Sequence, residues 1–256
     1  MATKKKQLLI VGNWKMNPAT LGNARKLFLD IRERIGKRVE NVQVVIAPPV
    51  PFISEFRELS PTGRIALGAQ DVSHEEGGAH TGDVSVSMLK SVGVSHVIVG
   101  HSERRAGGET DKEIAQKMRE VLAGKLTAIL CVGESKRDKQ GSYFTVVERQ
   151  LISALADVAP AHVKNLVVAY EPVWAIGTGK DAAPEDVEEM KLFIQKILAD
   201  RFGRTSISKV EILYGGSVTP KNAAELLELG KVDGFLVGGA SLRARDFAEI
   251  ISIAHG

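Results

Sequence analysis

Residues 167–182 read VVAYEPVWAIGTGKDA and contain the pattern that decides the fold. An uninterrupted apolar run ends on Glu171, and a proline, a tryptophan and a glycine-rich segment follow at once. An apolar run without polar alternation is typical of a strand covered on both faces, as in a parallel sheet. A carboxylate directly after such a strand is unexpected, because glutamate is rarely buried in a protein core unless its charge is paired.

The same kind of apolar run recurs along the whole chain, with helical patterns in between. The eight runs occupy residues 8–12, 42–47, 65–70, 96–100, 127–133, 166–171, 210–216 and 233–239. One predicted helix begins at Pro184 and stops at Gly203, and another has Thr219 as its cap and Gly230 just past its end. Strands alternating with helices, without a Pro-, Gly- or Ser-rich linker, predict one (β/α)8 barrel domain over residues 1–256. A doubly wound open sheet is the alternative.

Composition narrows the functional class. The chain has 256 residues, 34 basic and 31 acidic, and its net charge of +3 equals the charge of Lys4, Lys5 and Lys6. We expect residues 1–6 to form a flexible arm. A neutral body with 5% aromatic residues argues against nucleic-acid binding. The single cysteine, Cys131, excludes an intrachain disulfide, and no apolar stretch has the length of a signal peptide core or a membrane span. We therefore expect a cytoplasmic protein without a membrane partner.

Polar side chains follow two of the predicted strands, and in a (β/α)8 barrel the catalytic residues lie at the carboxyl ends of the strands. Asn13 and Lys15 follow the first run and share a face if the chain stays extended. Flanking by Trp14 and Met16 indicates that Lys15 is partly buried, and a partly buried ammonium group needs an anionic partner. His101 follows the fourth run at the start of a helix, whose N-terminus disfavours the imidazolium and leaves a neutral donor. The alternatives are a solvated lysine and a capping or core histidine.

The last two runs end in glycines. Gly215, Gly216 and Ser217 follow the seventh run, and Gly238 and Gly239 end the eighth. In barrels these two strand ends often bind phosphate, because glycines let backbone N–H groups approach the oxygens. The alternative is that both pairs are ordinary tight turns.

The segment after Glu171 is predicted to be a lid. Pro172 is a stiff hinge, residues 173–176 form an apolar flap, and residues 177–179 form a flexible second hinge. The alternative is a loop packed permanently on the barrel rim, with Glu171 in a salt bridge. We interpret Cys131 as a small buried apolar residue, because no base is near it in the sequence.

Together these positions supply a carboxylate base, a histidine, a lysine, a phosphate cradle and a lid. Such a set suits proton abstraction next to a carbonyl in a small phosphorylated substrate. No cluster has metal-ligand spacing and no GxGxxG opens a helix, so we expect no metal and no cofactor.

Residues 7–254 resemble the triosephosphate isomerase family. The motifs are, in the family's order, GNWKMN, GAQD, TGDVS, GHSERR, CVGE, AYEPVWAIGTGK, YGGSV and GFLVGGASL. The resemblance implies a TIM barrel that interconverts dihydroxyacetone phosphate and D-glyceraldehyde 3-phosphate in glycolysis and gluconeogenesis. A Schiff-base aldolase using Lys15 and a catalytically inactive barrel serving as a scaffold are the alternatives.

The resemblance also implies residue roles. Glu171 matches the base, His101 the neutral electrophile and Lys15 the cation that meets the substrate's charge. Asn13 orients the oxygens and Glu103 positions Lys15. The implied phosphate grip comprises Gly177, Ser217, Gly238 and Gly239.

A homodimer is implied through the 74–85 loop, with Thr81 near the other subunit's Asn13 and Lys15. The chain departs from the family in AGGETD and SKRDKQGS, each one residue short, and in His80 at a usually aromatic position. These departures concern the interface rather than the reaction.

Overall fold

The computed structural model describes residues 7–36, 41–60, 64–175 and 182–256, and its centre is a closed parallel barrel. The strands are β1 (Leu8–Asn13), β2 (Val42–Ala47), β3 (Ile65–Ala69), β4 (Val94–Val99), β5 (Thr127–Val132), β6 (Leu166–Tyr170), β7 (Glu211–Tyr214) and β8 (Gly234–Val237). Each strand pairs in parallel with the next, and β1 also pairs with β8, with Val11 opposite Leu236. The predicted single-domain (β/α)8 barrel is confirmed, and the open sheet is wrong. The predicted arm at residues 1–6 lies outside the described residues.

Helices surround the barrel. They are α1 (Leu21–Ile35), α2 (Ile53–Leu59), α3 (Val86–Ser91), α4 (Ser102–Ala106), α5 (Asp111–Ala123), α6 (Ser142–Ala154), α7 (Pro184–Phe202), α8 (Arg204–Ile207), α9 (Ala223–Glu228) and α10 (Ala244–His255). Short 3-10 turns lie at Val50–Phe52, Pro160–Asn165, Val173–Ala175 and Gly239–Leu242. In the described part of the chain, none of these helices has both the length and the apolar character needed to cross a membrane.

One predicted helix boundary is right and another is wrong. Helix α7 begins at Pro184 and ends before Gly203, whose φ is +80°. Helix α9 begins at Ala223, and Thr219 does not cap it. Instead, the Thr219 N–H and hydroxyl both donate to Asn222 Oδ1, at 2.8 and 3.2 Å, and Asn222 Nδ2 donates to the Ser217 carbonyl at 3.0 Å. Asn222 therefore orders the loop before the helix, and that loop carries Ser217.

The core has two parts because successive strand residues face opposite sides. One set fills the barrel interior and includes Val11, Ile129, Cys131 and Leu213. The other packs between the barrel and its helices and includes Phe28 and Phe247, both fully buried. This double cover explains why the strands are continuously apolar.

Candidate active site

A pocket of about 330 Å³ opens at the carboxyl ends of the strands. The predicted residues that line it are Asn13, Lys15, His101, Glu171, Gly215, Gly216, Ser217, Gly238 and Gly239. Glu103 does not line this pocket but lines a neighbouring groove of about 230 Å³, which Lys15 also borders. Gly177, with the part of the predicted lid that follows Ala175, lies outside the described residues. The barrel thus gathers residues that are up to 226 positions apart in the sequence at one rim, from Asn13 to Gly239.

Glu171 is buried between two glycines of the neighbouring strand ends. Its residue exposure is 2%, and its N–H donates to the Val132 carbonyl at 2.8 Å. A Cβ on Gly133 would lie 1.8 Å from the Glu171 carbonyl oxygen, and a Cβ on Gly215 would lie 2.9 Å from Glu171 Cγ. Neither position has room for a side chain. The glycines after β5 and β7 therefore let the Glu171 backbone and side chain fit at this site.

The Glu171 carboxylate has two close partners from the start of α4. Its Oε2 accepts a hydrogen bond from the Ser102 N–H at 2.9 Å, and its Oε1 lies 3.0 Å from His101 Nε2. The sequence reasoning missed Ser102, because a backbone N–H leaves no residue-type signal.

The hydrogen bonds of His101 define its tautomer. It caps α4 through Nδ1, which accepts the Glu103 N–H at 3.1 Å. An accepting Nδ1 has no proton, so in the neutral ring the proton is on Nε2. That hydrogen faces the Glu171 carboxylate and the pocket. The predicted neutral donor therefore has the geometry that it needs.

Lys15 is held in an uncommon backbone conformation. Its φ is +51°, so the chain turns at Lys15 and does not stay extended, and the condition for Asn13 and Lys15 to share a face of an extended chain is not met. The Lys15 N–H donates to Asn13 Oδ1 at 3.0 Å, and Gln70 Nε2 donates to the Lys15 carbonyl at 2.8 Å. These bonds stabilise the left-handed turn at Lys15. Asn13 and Lys15 both line the pocket, but they reach it through this turn and not through an extended chain.

The Lys15 ammonium group meets an acidic partner. Nζ lies 2.6 Å from Glu103 Oε1, and the Lys15 side chain is 32% exposed. Trp14 is fully buried and packs edge-on against Phe56, whereas Met16 is 92% exposed. Lys15 is therefore partly buried with an anionic neighbour, as predicted, although of its two flanking residues Trp14 is buried and Met16 is exposed.

The glycine-rich ends of β7 and β8 form one wall of the pocket. A Cβ on Gly238 would lie 3.5 Å from Lys15 Cε, so the lysine stem lies against this glycine. Ser241 Oγ donates to the Gly238 carbonyl at 2.6 Å and orders the turn. Sequence reasoning missed further lining residues, namely Val218, Thr219, Leu236, Ala240 and Arg243. Their only signal is proximity to a strand end.

The start of the predicted lid is tied to the end of β5. Trp174 Nε1 donates to Glu134 Oε1 at 2.7 Å, and the Tyr170 hydroxyl donates to the same oxygen at 2.9 Å. The Val173 N–H donates to the Glu134 carbonyl at 3.0 Å. Burial raises the pKa of Glu134 above its ordinary value. Glu134 belongs to the CVGE motif and was not predicted to have a role, although a polar residue at a strand end is the signal that could have indicated one.

Cys131 lies inside the barrel and is fully buried. Burial, and next the charge of Glu171, raise the pKa of its thiol well above the usual range. The side chain is therefore a neutral thiol, as its interpretation as a small buried apolar residue requires. Among the described residues there is no group of three or more His, Cys, Asp or Glu side chains arranged to hold a metal ion.

Comparison with known proteins identifies relatives that match over almost the full chain. The sequence model of the triosephosphate isomerase family matches residues 8–254. The triosephosphate isomerase of Carboxydothermus hydrogenoformans is 44% identical over 247 residues, covering 94% of this chain and 96% of that protein. The triosephosphate isomerase of Thermus thermophilus is 44% identical over 251 residues, covering 97% and 99%. That of Roseiflexus castenholzii is 45% identical over 245 residues, covering 95% and 96%.

Proposed function

The chain belongs to the triosephosphate isomerase family, and from this premise we propose which of its residues carry the reaction and how they act. The activity is the interconversion of dihydroxyacetone phosphate and D-glyceraldehyde 3-phosphate, a step of glycolysis and gluconeogenesis. Membership in the family favours an enzyme over an inactive scaffold or a Schiff-base aldolase.

Glu171 is the proposed general base. The observation that carries this assignment is the buried carboxylate 3.0 Å from His101 Nε2. A substrate carbonyl oxygen that takes the Nε2 hydrogen bond displaces Glu171 Oε1 and leaves the carboxylate beside the adjacent carbon. Glu171 then takes a proton from C1 of dihydroxyacetone phosphate, and the electron pair forms the C1–C2 double bond of an enediolate. Return of the proton to C2 gives the aldehyde.

His101 and Lys15 stabilise the charge that develops on the oxygens. The Nε2–H of His101 donates to the carbonyl oxygen and transfers protons between the two oxygens of the enediolate. Lys15 supplies a positive charge in the same pocket as His101. The Asn13 side chain accepts a hydrogen bond from the Lys15 N–H and so fixes the Lys15 backbone. A positioned general base contributes roughly 10² to 10⁴ in rate, and one preorganised donor about 10² to 10³. Both contributions are therefore required.

The phosphate is proposed to bind at the glycine-rich wall. Ser217, Gly238 and Gly239 line the pocket at the ends of β7 and β8, and Lys15 lies against Gly238. Their backbone N–H groups are the proposed donors to the phosphate oxygens. Gly177 would add a donor from the lid. Because the phosphate does not react, its binding energy is available to order the lid and exclude water from the enediolate.

The test is a coupled assay of glyceraldehyde 3-phosphate isomerisation in buffer with a metal chelator. We expect turnover without an added cofactor, and Glu171→Gln should lower kcat by about 10² to 10⁴-fold while the protein stays folded. Lys15→Met should also lose activity. Lys26→Met is the matched control, because Lys26 lies on α1 and pairs with Asp30 outside the pocket. Unchanged turnover in Glu171→Gln would remove it from the role of base.

A homodimer is proposed through the 74–85 loop. The Ser73 N–H donates to the Val84 carbonyl at 2.8 Å, which closes the base of this loop, and residues 76–83 are exposed. Exposed Met16 follows Lys15, and Val50, 43% exposed, lines the groove beside it. This groove suits the corresponding loop of a second copy.

Sedimentation velocity at micromolar concentration tests the dimer. We expect a dimer for the unmodified chain and for Leu192→Asp, a control at a residue that is 57% exposed on α7. Met16→Asp should give monomers with reduced activity. A monomeric unmodified chain would contradict the proposal. We place the enzyme in the cytoplasm, which the glycolytic role and the lone cysteine support and which a fluorescent fusion would test.

A further inference from the structure

Gln150 is a buried polar side chain that the proposed mechanism does not use. It lies on the inner face of α6 and is 6% exposed. Its Oε1 accepts the Gly133 N–H at 2.8 Å, and its Nε2 donates to the Gly133 carbonyl at 3.1 Å. One amide thus satisfies both backbone groups of a single residue, just after β5 ends. Buried peptide groups need such partners where the strand ladder stops.

Gly133 is also the residue against which the Glu171 backbone rests. The position that a Cβ would take on Gly133 is 1.8 Å from the Glu171 carbonyl oxygen, and the preceding residue, Val132, accepts the Glu171 N–H at 2.8 Å. A shift of Gly133 toward or away from β6 therefore changes the place of Glu171.

Packing alone leaves Gly133 room to move. A cavity of about 330 Å³ borders Gly133, Gln150 and Glu171 on the helix side of the rim. The two hydrogen bonds between Gln150 and Gly133 join two residues that line this cavity, so they restrain Gly133 where side-chain packing does not.

We propose that Gln150 is a positioning residue for the isomerase reaction, acting on Glu171 through Gly133. The inference rests on the proposed role of Glu171 as base. Loss of the two hydrogen bonds between Gln150 and Gly133 allows the Glu171 carboxylate to shift relative to the substrate carbon. A misplacement of about 1 Å costs on the order of 10²-fold in rate. The phosphate wall on β7 and β8 is not attached to Gln150, so substrate binding should be largely preserved.

The experiment measures kcat and KM for Gln150→Met, which keeps the side-chain length but makes neither hydrogen bond. We expect kcat to fall about 10- to 100-fold and KM to stay within about 2-fold. Leu151→Ala is the control, because Leu151 is also buried on α6 and its apolar side chain cannot make a hydrogen bond to Gly133. It should lower the melting temperature and leave kcat near that of the unmodified enzyme. Gln150→Asn, whose shorter amide cannot make both bonds, replaces Gln150→Met if the latter does not fold.

A double variant separates positioning from a general structural effect. Adding Gln150→Met to Glu171→Gln should change kcat by less than about 2-fold, because the carboxylate that Gln150 positions is already absent. Unchanged kcat in Gln150→Met, a further large loss in the double variant, or an equal kcat loss in Leu151→Ala would each overturn the inference. If Glu171→Gln itself retains full activity, the proposed base fails first, and the two failures are thereby distinguished.

Discussion

Gly133→Ala is predicted to damage catalysis because the new methyl group has no space beside the base. The added Cβ would lie 1.8 Å from the Glu171 carbonyl oxygen, whereas real Cβ contacts essentially never fall under 3.0 Å. The two segments must therefore separate by about 1.2 Å. A displacement of about 1 Å in a catalytic group costs on the order of 10²-fold, which corresponds to about 2.7 kcal/mol in the activation barrier.

Steady-state kinetics of glyceraldehyde 3-phosphate isomerisation would measure this effect. We expect Gly133→Ala to lower kcat about 100-fold, and to lower the free energy of unfolding by about 1 to 3 kcal/mol because the site is overpacked. Gly22→Ala is the control, since a Cβ there meets nothing within 4 Å and the residue lies in α1. It should retain full activity. A kcat of Gly133→Ala within about 3-fold of the unmodified enzyme would refute the reasoning about the position of Glu171.

Three further predictions concern separate parts of the structure. Glu103→Gln removes the charge 2.6 Å from Lys15 Nζ and should raise KM by about 2- to 10-fold in the same assay; an unchanged KM would contradict the positioning role. Burial lowers the pKa of His96 to about 4, so the folded state keeps this ring neutral while the unfolded state takes up a proton below about 6.5. The free energy of unfolding should therefore fall by up to about 3 kcal/mol from His96 alone as the pH drops from 6.5 to 4, and urea titrations of His96→Asn should lack that part of the loss. Cys131, which is fully exposed only on unfolding, should react with a thiol reagent in urea and not in native buffer; rapid native labelling would contradict its buried place.

The barrel could be predicted from the sequence because each strand is covered on both faces and so is continuously apolar. The alternation of eight such runs with helices leaves few topologies. Boundaries that depend on a side-chain competition could not be predicted. The start of α9 is the example, since the Thr219 hydroxyl donates to Asn222 Oδ1 and does not accept a hydrogen bond from a helix N–H as a cap would.

The site residues that could be predicted stand directly after strands, where barrel geometry brings them together. Gln70, Gln150 and Ser102 were not predicted, because each makes a hydrogen bond that involves a backbone group and a partner distant in the sequence. Gln70 is 55 positions from the Lys15 carbonyl that it binds, and Ser102 is 69 positions from Glu171. Such pairs are defined only once the strands have a register.

The shortened loop after Arg105 shows the same limit. Lys117 is buried, pairs with Asp71 at 2.6 Å and also contacts Glu109 from that loop. Arg104 pairs with Asp71 at 2.8 Å and lines the groove beside Lys15. The length of the loop can be read from the sequence. The ion pairs that Glu109 of this loop forms with Lys117, and Lys117 with Asp71, cannot.

Proton exchange during turnover tests most directly whether a carboxylate base moves the proton. The measurement is proton NMR of dihydroxyacetone phosphate and glyceraldehyde 3-phosphate equilibrated by the enzyme in D₂O. Because a proton held on Glu171 can exchange with solvent before it returns to carbon, we expect deuterium at C2 of the aldehyde or C1 of the ketone in part of the product. Glu171→Gln should slow this incorporation together with turnover. Rapid isomerisation in which every product molecule retains its original carbon-bound hydrogen would contradict the account.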